Sequence, residues 1–304
     1  MRIVSLLASG TELVCALGAG DRLVGRSHEC DTPAWVRRLP ACSAPTFDVS
    51  GTSSEIDALV RERLQAGEPL YRVDDALLLQ LAPDVLITQT HCEVCAVSPK
   101  DVERGQPAAL CRQQVVALRA GTLDGVLDGF REVAQVLGLA EEGEALVAGQ
   151  RARIEAISDR VQGLEPVGVA CLEWIDPVFN MGNWGPELVA RAGGRSLLGT
   201  AGQHSAALSW ERVMETDPEV LLVAPCGFGI ARTLGEMRFL TERPGWRDLR
   251  AVRSGGVFVA DGNLYFNRSG PSLVDSIEIL TEILHPEEFA PRHQGTAWRT
   301  YPEC

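Results

Sequence analysis

The sequence predicts an α/β fold with two similar lobes, each built on a mainly parallel sheet, joined by one long helix. Three observations lead to this prediction. Apolar, strand-like runs alternate with helix-like runs, two segments are repeated in the same order, and a proline-free stretch of helix formers separates the copies. The chain has 304 residues, 45% of them hydrophobic and 23% charged, so it is long and apolar enough for two domains.

The first repeat is a strand, a short helix that ends at glycine, and a second short strand. Glycine is the usual residue just after the end of a helix, and Gly18 and Gly193 hold that position in the two copies. The copies comprise strands at residues 3–7 and 167–172, helices at 12–18 and 187–194, and second strands at 21–25 and 195–199.

The second repeat is a helix that ends before proline and continues into an apolar strand. Residues 78–87 contain Pro83, and residues 213–223 contain Pro218. Proline disfavours helix in the residue before it, and the β-branched residues that follow are typical of a buried strand. Because both repeats occur in the same order, we predict two lobes whose sheets are covered by helices on both faces.

The segment from residue 122 to residue 163 is predicted to connect the lobes. It contains no proline, and Thr122 can cap a helix that reaches about residue 137, where Gly138 interrupts it. Residues 140–161 keep apolar positions at helical spacing, and a helix of about 22 residues spans about 33 Å. The alternative is an ordinary surface helix of one lobe. The predicted domains are residues 1–138, residues 139–163 as the connecting helix, and residues 164–304.

Two loops at the carboxyl edge of the first sheet carry metal-ligating residue types. Ligands of parallel sheets bind at this edge. A Cys-x-x-Cys pair can bring two sulfur atoms to one zinc or iron ion, and imidazole can complete the shell. A dithiol redox pair and inert thiols beside a turn are the alternatives. The candidate ligand-binding residues are His28, Glu29, Cys30, His91, Cys92 and Cys95, and the candidate metal ligands are Cys92, Cys95 and His28.

Three strand ends of the second lobe carry aromatic residues, and two carry asparagine as well. They follow the strands that end near residues 172, 223 and 259. Flat apolar faces combined with amide groups suit a large planar organic ligand, whereas core aromatics beneath loops are the alternative. The candidates are Trp174, Phe179, Asn183, Trp184, Phe228, Tyr265, Phe266 and Arg268.

Composition and motifs argue against several functions. The net charge of −13 disfavours a nucleic-acid partner, which needs a basic surface. The sequence has no apolar run of about 18 residues that would cross a membrane. It shows no P-loop, no glycine fingerprint between a strand and a helix, and no Gly-x-Ser-x-Gly motif. Since no carboxylate pair or nucleophile has a catalytic spacing, we expect a binding protein and not an enzyme.

The cysteine content bears on the cellular compartment. Nine cysteines at irregular spacing, an odd number in a long chain, fit a reducing compartment better than a disulfide framework. The apolar run after Arg2 is too short for a signal-peptide core. We therefore expect a cytoplasmic protein, while a periplasmic protein whose leader had been removed would look the same.

Several motifs resemble those of a known family. Residues 5–12 read Ser-Leu-Leu-Ala-Ser-Gly-Thr-Glu, residues 27–31 read Ser-His-Glu-Cys-Asp, and residues 92–95 read Cys-Glu-Val-Cys. With the motifs at residues 83–84, 173–177, 183–187 and 267–271, they are similar to the cobalamin-binding (BtuF-like) branch of ABC-transporter substrate-binding proteins, within the helical-backbone metal-receptor superfamily. The resemblance covers essentially the whole chain, and its narrower motifs resemble a sub-branch that commonly lacks an export signal.

The resemblance implies a class III periplasmic-binding-protein-like fold, in which two Rossmann-like lobes are joined by one long backbone helix and hold the ligand between them with little hinge motion. It implies cobalamin or a related corrinoid as the ligand, for sequestration or for delivery to an ABC permease or a corrinoid enzyme. The alternatives are a haem or siderophore binder of the same fold, a metal or redox protein that uses Cys92 and Cys95, and an enzyme that modifies a corrinoid or tetrapyrrole.

Overall fold

The protein contains two main sheets, one in each half of the chain. The computed structural model describes residues 1–90, 96–97, 113–119 and 121–301. The predicted site residues His91, Cys92 and Cys95 lie outside these ranges. The first sheet has four strands and the second has six, and a separate two-stranded sheet belongs to the first half.

The first sheet is entirely parallel, as predicted. Its strands follow the order β2-β1-β5-β6, and the central strands are buried at every position because the sheet is covered on both faces. The two remaining strands of this half pair antiparallel. The six strands are β1 (Ile3–Ser5), β2 (Leu23–Arg26), β3 (Ser43–Pro45), β4 (Tyr71–Val73), β5 (Val85–Gln89) and β6 (Gln114–Leu118).

Among the described residues, three helices accompany this sheet: α1 (Ala8–Ala16), α2 (Ser53–Ala66) and α3 (Asp75–Leu81). Helix α2 begins with a capping box, in which Thr52 and Glu55 exchange side-chain and backbone hydrogen bonds. Helix α1 begins earlier than the predicted residue 12. Gly10 lets α1 pack closely on β5, because a Cβ atom at this position would lie 2.7 Å from the Ile87 Cγ2 atom.

The predicted connection consists of α4 (Leu123–Val136) and α5 (Ala140–Val161). Thr122 caps α4, since its side chain accepts a hydrogen bond from the Gly125 amide at 3.1 Å. Helix α5 has the bounds that its apolar spacing predicts. The Arg153 guanidinium on α5 contacts Asp275 at 2.6 Å and Glu278 at 2.7 Å, and these two carboxylates belong to the last helix of the chain.

The second sheet has a parallel centre and antiparallel edges. Strands β9, β7, β10 and β11 run parallel, while β8 pairs antiparallel with β7 and β12 with β11. The fold is therefore α/β with mainly parallel sheets, as predicted. The strands are β7 (Val167–Trp174), β8 (Phe179–Asn180), β9 (Gly194–Ser196), β10 (Val220–Val223), β11 (Val257–Ala260) and β12 (Trp298–Thr300).

The helices of the second half lie around this sheet. They are α6 (Gly185–Arg191), α7 (Trp210–Thr216), α8 (Ile230–Glu236), α9 (Arg238–Thr241), α10 (Arg250–Arg253) and α11 (Leu273–Leu284). One hydrophobic cluster runs from β1 and β5 through α4 and α5 into α6 and α11. The two halves are thus joined by continuous apolar packing as well as by α5. The predicted domain limits at residues 138, 163 and 164 stay a prediction.

Candidate ligand-binding site

A cleft lies where the carboxyl ends of strands from both sheets meet. From the first sheet it is lined by residues after β1 and β2 and by the last residue of β5, and from the second by residues at the ends of β7, β10 and β11. It contains about 740 Å³ of space, part of it open solvent. The lining includes Leu7, Ser9, Glu29, Gln89, Glu173, Met181, Asn183, Trp184, Cys226, Asn263, Phe266, Asn267 and Arg268.

The apolar wall of the cleft is built on Trp184 and Phe266. The indole N–H of Trp184 donates to the Phe266 carbonyl at 2.6 Å, which fixes both loops. Phe266 and the cleft residue Asn183 have φ angles of 54° and 50°, in the left-handed region that side chains seldom adopt. Strain of this kind persists where the surrounding structure holds it, and it is concentrated at ligand sites.

Arg268 joins the two lobes at the base of the cleft. Its guanidinium donates to Glu12 Oε1 at 2.7 Å and to Asp31 Oδ1 at 2.9 Å, both in the first lobe, and to Asn263 Oδ1 at 3.1 Å. The Asn263 amide donates in turn to Asp31 at 3.0 Å. Arg268 and Glu12 are only 7% and 6% exposed. These four residues are called the Arg268 network below.

Burial and the positive charge act against each other within the Arg268 network. Burial raises the pKa of Glu12, and the charge and hydrogen bond of Arg268 offset only part of that effect. Burial also opposes ionisation of Asp31, but the hydrogen bond and charge of Arg268 outweigh it, so the pKa of Asp31 is lowered. Arg268 thus favours the ionised form of Asp31 more than that of Glu12.

Two further carboxyl groups face the cleft, one from each lobe. Burial raises the pKa of Glu29 to about 7, although Arg268 acts in the opposite direction. Burial also raises the pKa of Glu173 to about 7, against the hydrogen bonds that Ser205 and the Gly182 amide supply. The Ser205 hydroxyl donates to Glu173 at 2.6 Å. At neutral pH each carboxyl group can therefore either accept or donate a hydrogen bond.

His28 and Cys30 are predicted ligand contacts that do not line the cleft. The His28 ring turns toward Ser43, with 3.0 Å between Nδ1 and the hydroxyl oxygen, and burial lowers its pKa to about 4. Cys30 is 1% exposed, and its sulfur accepts a hydrogen bond from the Thr11 hydroxyl at 3.0 Å. Burial raises the pKa of this thiol to about 11, so it is neither accessible nor ionised at neutral pH.

Four of the predicted aromatic contacts also lie away from the cleft lining. Trp174 packs against Phe228, with ring centroids 5.0 Å apart. Phe179 is half-buried in β8 at the edge of the second sheet, and Tyr265 is half-buried against the core. These four side chains therefore make contacts outside the cleft lining, and their part in ligand binding stays a prediction.

Trp174 and Phe228 belong to a second junction between the lobes, called the α2 junction below. The Trp174 indole donates to the Ser53 carbonyl at 3.1 Å, and the Ser53 amide donates to Glu236 at 2.9 Å. The Arg232 guanidinium lies 3.7 Å from the centre of the Phe228 ring and donates to the carbonyls of Val49 and Gly51. These side chains bind the first turn of α2 to the second lobe.

The cleft of the structure thus contains Glu29, Asn183, Trp184, Phe266 and Arg268 from the predicted set. It also contains residues that the prediction passed over. Each of them lies at or shortly after the end of a strand, which was the available signal, but the prediction favoured aromatic side chains. The residues passed over include Gln89, Glu173, Cys226, Asn263 and Asn267.

The predicted metal site consists of Cys92, Cys95 and His28. Cys92 and Cys95 lie outside the described residues, while His28 lies beside Ser43. Within the described ranges, no group of three or more histidine, cysteine or acidic residues could hold a metal ion. The zinc or iron site at the cysteines therefore stays a prediction.

Comparison with known proteins assigns the family. A family model described as periplasmic binding protein matches residues 3–264, most of the chain. The chain belongs to the periplasmic binding protein family. Proteins of this kind bind small-molecule ligands and work with ABC permeases. Among the described residues, none of the helices is long and apolar enough to cross a membrane.

Individual relatives are similar over most of their length. A vitamin B12-binding protein of Vibrio campbellii is 23% identical over 225 residues, which cover 73% of this chain and 70% of the relative. The structure of a periplasmic heme-binding protein from Pseudomonas aeruginosa has a TM-score of 0.70 and 22% identity, covering 94% of this chain and 93% of that one.

The structure of the periplasmic vitamin B12-binding protein BtuF of Vibrio cholerae gives a TM-score of 0.67 and 19% identity, covering 93% of this chain and 96% of that one. These likenesses confirm the class III periplasmic-binding-protein fold that the sequence predicts.

Proposed function

We propose that the cleft binds a corrinoid of the cobalamin type. The observation that carries this proposal is the lining itself, in which an apolar wall stands beside neutral amide side chains. Corrinoids present a flat apolar macrocycle with carboxamide groups at its edge, and such a ligand can exchange hydrogen bonds with both amide and carboxyl side chains. The vitamin B12-binding relative supports the same ligand class.

The amide groups proposed to contact the ligand come from one strand end and two loops. Gln89 ends β5 of the first lobe, while Asn183 and Asn263 follow β8 and β11 of the second. Trp184 and Phe266 follow these asparagines in the sequence and supply the apolar wall. A ligand placed here contacts both lobes. Its binding therefore adds further contacts between the lobes to those already described.

The proposed role is to hold the corrinoid and transfer it to a partner. An ABC permease is the partner that the family suggests, while sequestration or transfer to a corrinoid enzyme follows if the protein is cytoplasmic. The cytoplasmic location stays a prediction. A binding role is the one that the periplasmic binding protein family suggests.

The proposal is tested by titrating the purified protein with aquocobalamin while the visible spectrum and the heat of binding are followed. We expect a single site with a dissociation constant at or below about 1 μM, the range of a well-formed specific site. A shifted cobalt spectrum would show direct ligation by the protein, and an unchanged spectrum would leave the macrocycle and its amides as the points of contact.

Absence of binding at high micromolar aquocobalamin would reject the corrinoid. Haemin and a ferric hydroxamate siderophore would then be titrated in the same way. Zinc or iron that purifies with the protein and is lost in Cys92→Ser would support the metal or redox alternative. Conversion of bound cobalamin over time would indicate an enzyme, since a binding protein returns its ligand unaltered.

A further inference from the structure

We propose that the cleft selects its ligand by charge: it admits macrocycles whose edge carries neutral carboxamides and rejects those whose edge carries carboxylates. This inference rests on the proposed function, in that the cleft is taken as the ligand site. It names Glu29 and Glu173 as the residues that determine the selection.

The charged side chains that line the cleft are mostly acidic. Among the described residues that line the cleft, the charged side chains are Glu29, Glu173 and Arg268. The two carboxyl groups come from opposite lobes, Glu29 after β2 and Glu173 at the end of β7. A ligand that fills the space between the lobes therefore meets an acidic group on either side.

Arg268 already has carboxylate partners of its own, which balance its charge and reduce its attraction for a ligand carboxylate. Its guanidinium already contacts Glu12, Asp31 and Asn263, at distances of 2.7 to 3.1 Å. Asp31, whose pKa is lowered, supplies negative charge beside it. Separating a buried, hydrogen-bonded pair leaves an uncompensated charge in the protein, which is strongly unfavourable.

The two glutamates contact uncharged side chains within the described part of the chain. Glu173 accepts a hydrogen bond from Ser205, which is neutral. The Glu29 carboxyl lies 3.9 Å from the His28 ring, and His28 is uncharged at neutral pH because burial lowers its pKa to about 4. Neither glutamate has its charge balanced by a lysine or arginine ion pair in these ranges.

Carboxamide and carboxylate groups at the edge of a ligand interact differently with the two glutamates. A carboxamide N–H can donate to either glutamate when the glutamate is ionised, and its carbonyl can accept from a protonated one. A ligand carboxylate meets like charge when the glutamates are ionised, and like charges brought close together in the cleft repel each other. Haem, with two propionates, and fully acidic corrinoids belong to the rejected class, and amide-bearing corrinoids to the accepted one.

The test compares two corrinoids that share one ring. Cobinamide carries carboxamides, and cobyrinic acid carries carboxylates at the same positions. Titrations at pH 8, where both glutamates are mainly ionised, should show cobinamide binding more tightly by at least about tenfold. In the Glu29→Gln/Glu173→Gln double variant, cobyrinic acid should gain at least about tenfold while cobinamide changes less.

The matched control is Glu68→Gln, because Glu68 is an exposed glutamate paired with Arg63 and should leave both affinities unchanged. Equal affinities of the wild-type protein for the two corrinoids would overturn the inference, and so would a double variant that keeps the full discrimination. Glutamine has the size of glutamate, and circular dichroism verifies that the double variant is folded.

Failure of the inference is distinguishable from failure of the proposed function. If neither corrinoid binds, the corrinoid proposal is rejected, and the charge selection is then tested with haemin against its dimethyl ester in dilute non-ionic detergent. Tighter binding of the ester would support the selection, and equal or weaker binding would overturn it. Failure of all four ligands to bind would overturn both proposals.

Discussion

Arg268 links the two lobes through a buried group of charged side chains. It is nearly inaccessible to solvent, and its charge is balanced by carboxylates that belong to the other lobe. In such surroundings the interaction between charges is strong, but so is the penalty for leaving one of them alone. Removal of the arginine is therefore expected to lower the free energy of unfolding by more than the intact network contributes to it.

We expect Arg268→Met to lower the free energy of unfolding by about 3 to 5 kcal/mol, because it leaves Asp31 and Glu12 without their buried partner. Urea denaturation followed by circular dichroism measures the loss. Arg151→Met is the matched control, since the ion pair of Arg151 with Asp124 is exposed and is worth about 0 to 1 kcal/mol. Similar small losses in both variants would show that the Arg268 network does not stabilise the junction.

Helix α2 shows how aromatic residues at strand ends can serve the fold. Its first turn lies beside the loop that follows β7, and the Trp174 indole donates to the Ser53 carbonyl there. Phe228, which follows β10, packs on Trp174 and beneath Arg232. These elements of the second lobe thus hold a helix of the first lobe. Their aromatic side chains take part in that contact and do not line the cleft.

We expect Trp174→Phe and Trp184→Phe to differ in their effect on aquocobalamin binding. Trp174→Phe removes one hydrogen bond of the α2 junction, which costs about 1 kcal/mol of stability, and the affinity should stay within about twofold. Trp184→Phe alters the wall of the cleft and should weaken binding by about tenfold.

Calorimetric titration measures both affinities, and urea denaturation verifies that each variant is folded at the titration temperature. Equal weakening by the two variants would place Trp174 in the ligand site after all, as the sequence prediction had it.

The whole molecule responds to pH through groups whose pKa values change on folding. Glu29 and Glu173 have their pKa values raised from 4.5 to about 7, so the folded protein binds more protons than the unfolded chain between those pH values. Stability contributed by these two groups is therefore present at low pH and is lost as the pH rises toward 7. His28, lowered from 6.5 to about 4, acts in the opposite direction over the lower part of the range.

We expect the ligand-free Glu29→Gln/Glu173→Gln variant to lose this part of the pH dependence. Melting temperatures of wild type and variant are compared between about pH 5 and pH 8, and their difference removes the contribution of His28 and other shared groups. The variant should gain on the wild type as the pH rises, because glutamine has no proton to release. A difference that is independent of pH would mean that the two carboxyl groups titrate normally in the folded protein.

Local patterns predicted the elements and their order well. The limits of α5 coincide with the range that its apolar spacing indicates, and Thr122 caps α4 as expected. Helices α1 and α6 begin at Ala8 and Gly185, earlier than the predicted residues 12 and 187. In α1, Gly10 allows close packing on β5. That approach is a property of two distant segments, and no local pattern records it.

The position of the candidate site was predictable from the sequence, but the full set of residues that line it was not. Trp184 and Phe266 line the cleft, whereas Phe228 and Trp174 are used at the α2 junction. All four are aromatic residues near strand ends, so composition and position do not separate them. Glu173 was passed over for the opposite reason, since a single carboxylate beside a strand carries no spacing signal.

The sequence by itself determined the α/β class, the two repeated halves, the connecting helix and the sheet edge at which a ligand site could form. These features depend on periodicity, glycine, proline and capping residues, which act over a few residues along the chain. Only the tertiary structure decided which strand-end side chains face the cleft, that Arg268 is balanced by Glu12 and Asp31, and that Glu29 and Glu173 share one space. Burial and electrostatic environment depend on segments more than 100 residues apart, and only the folded chain brings those segments together.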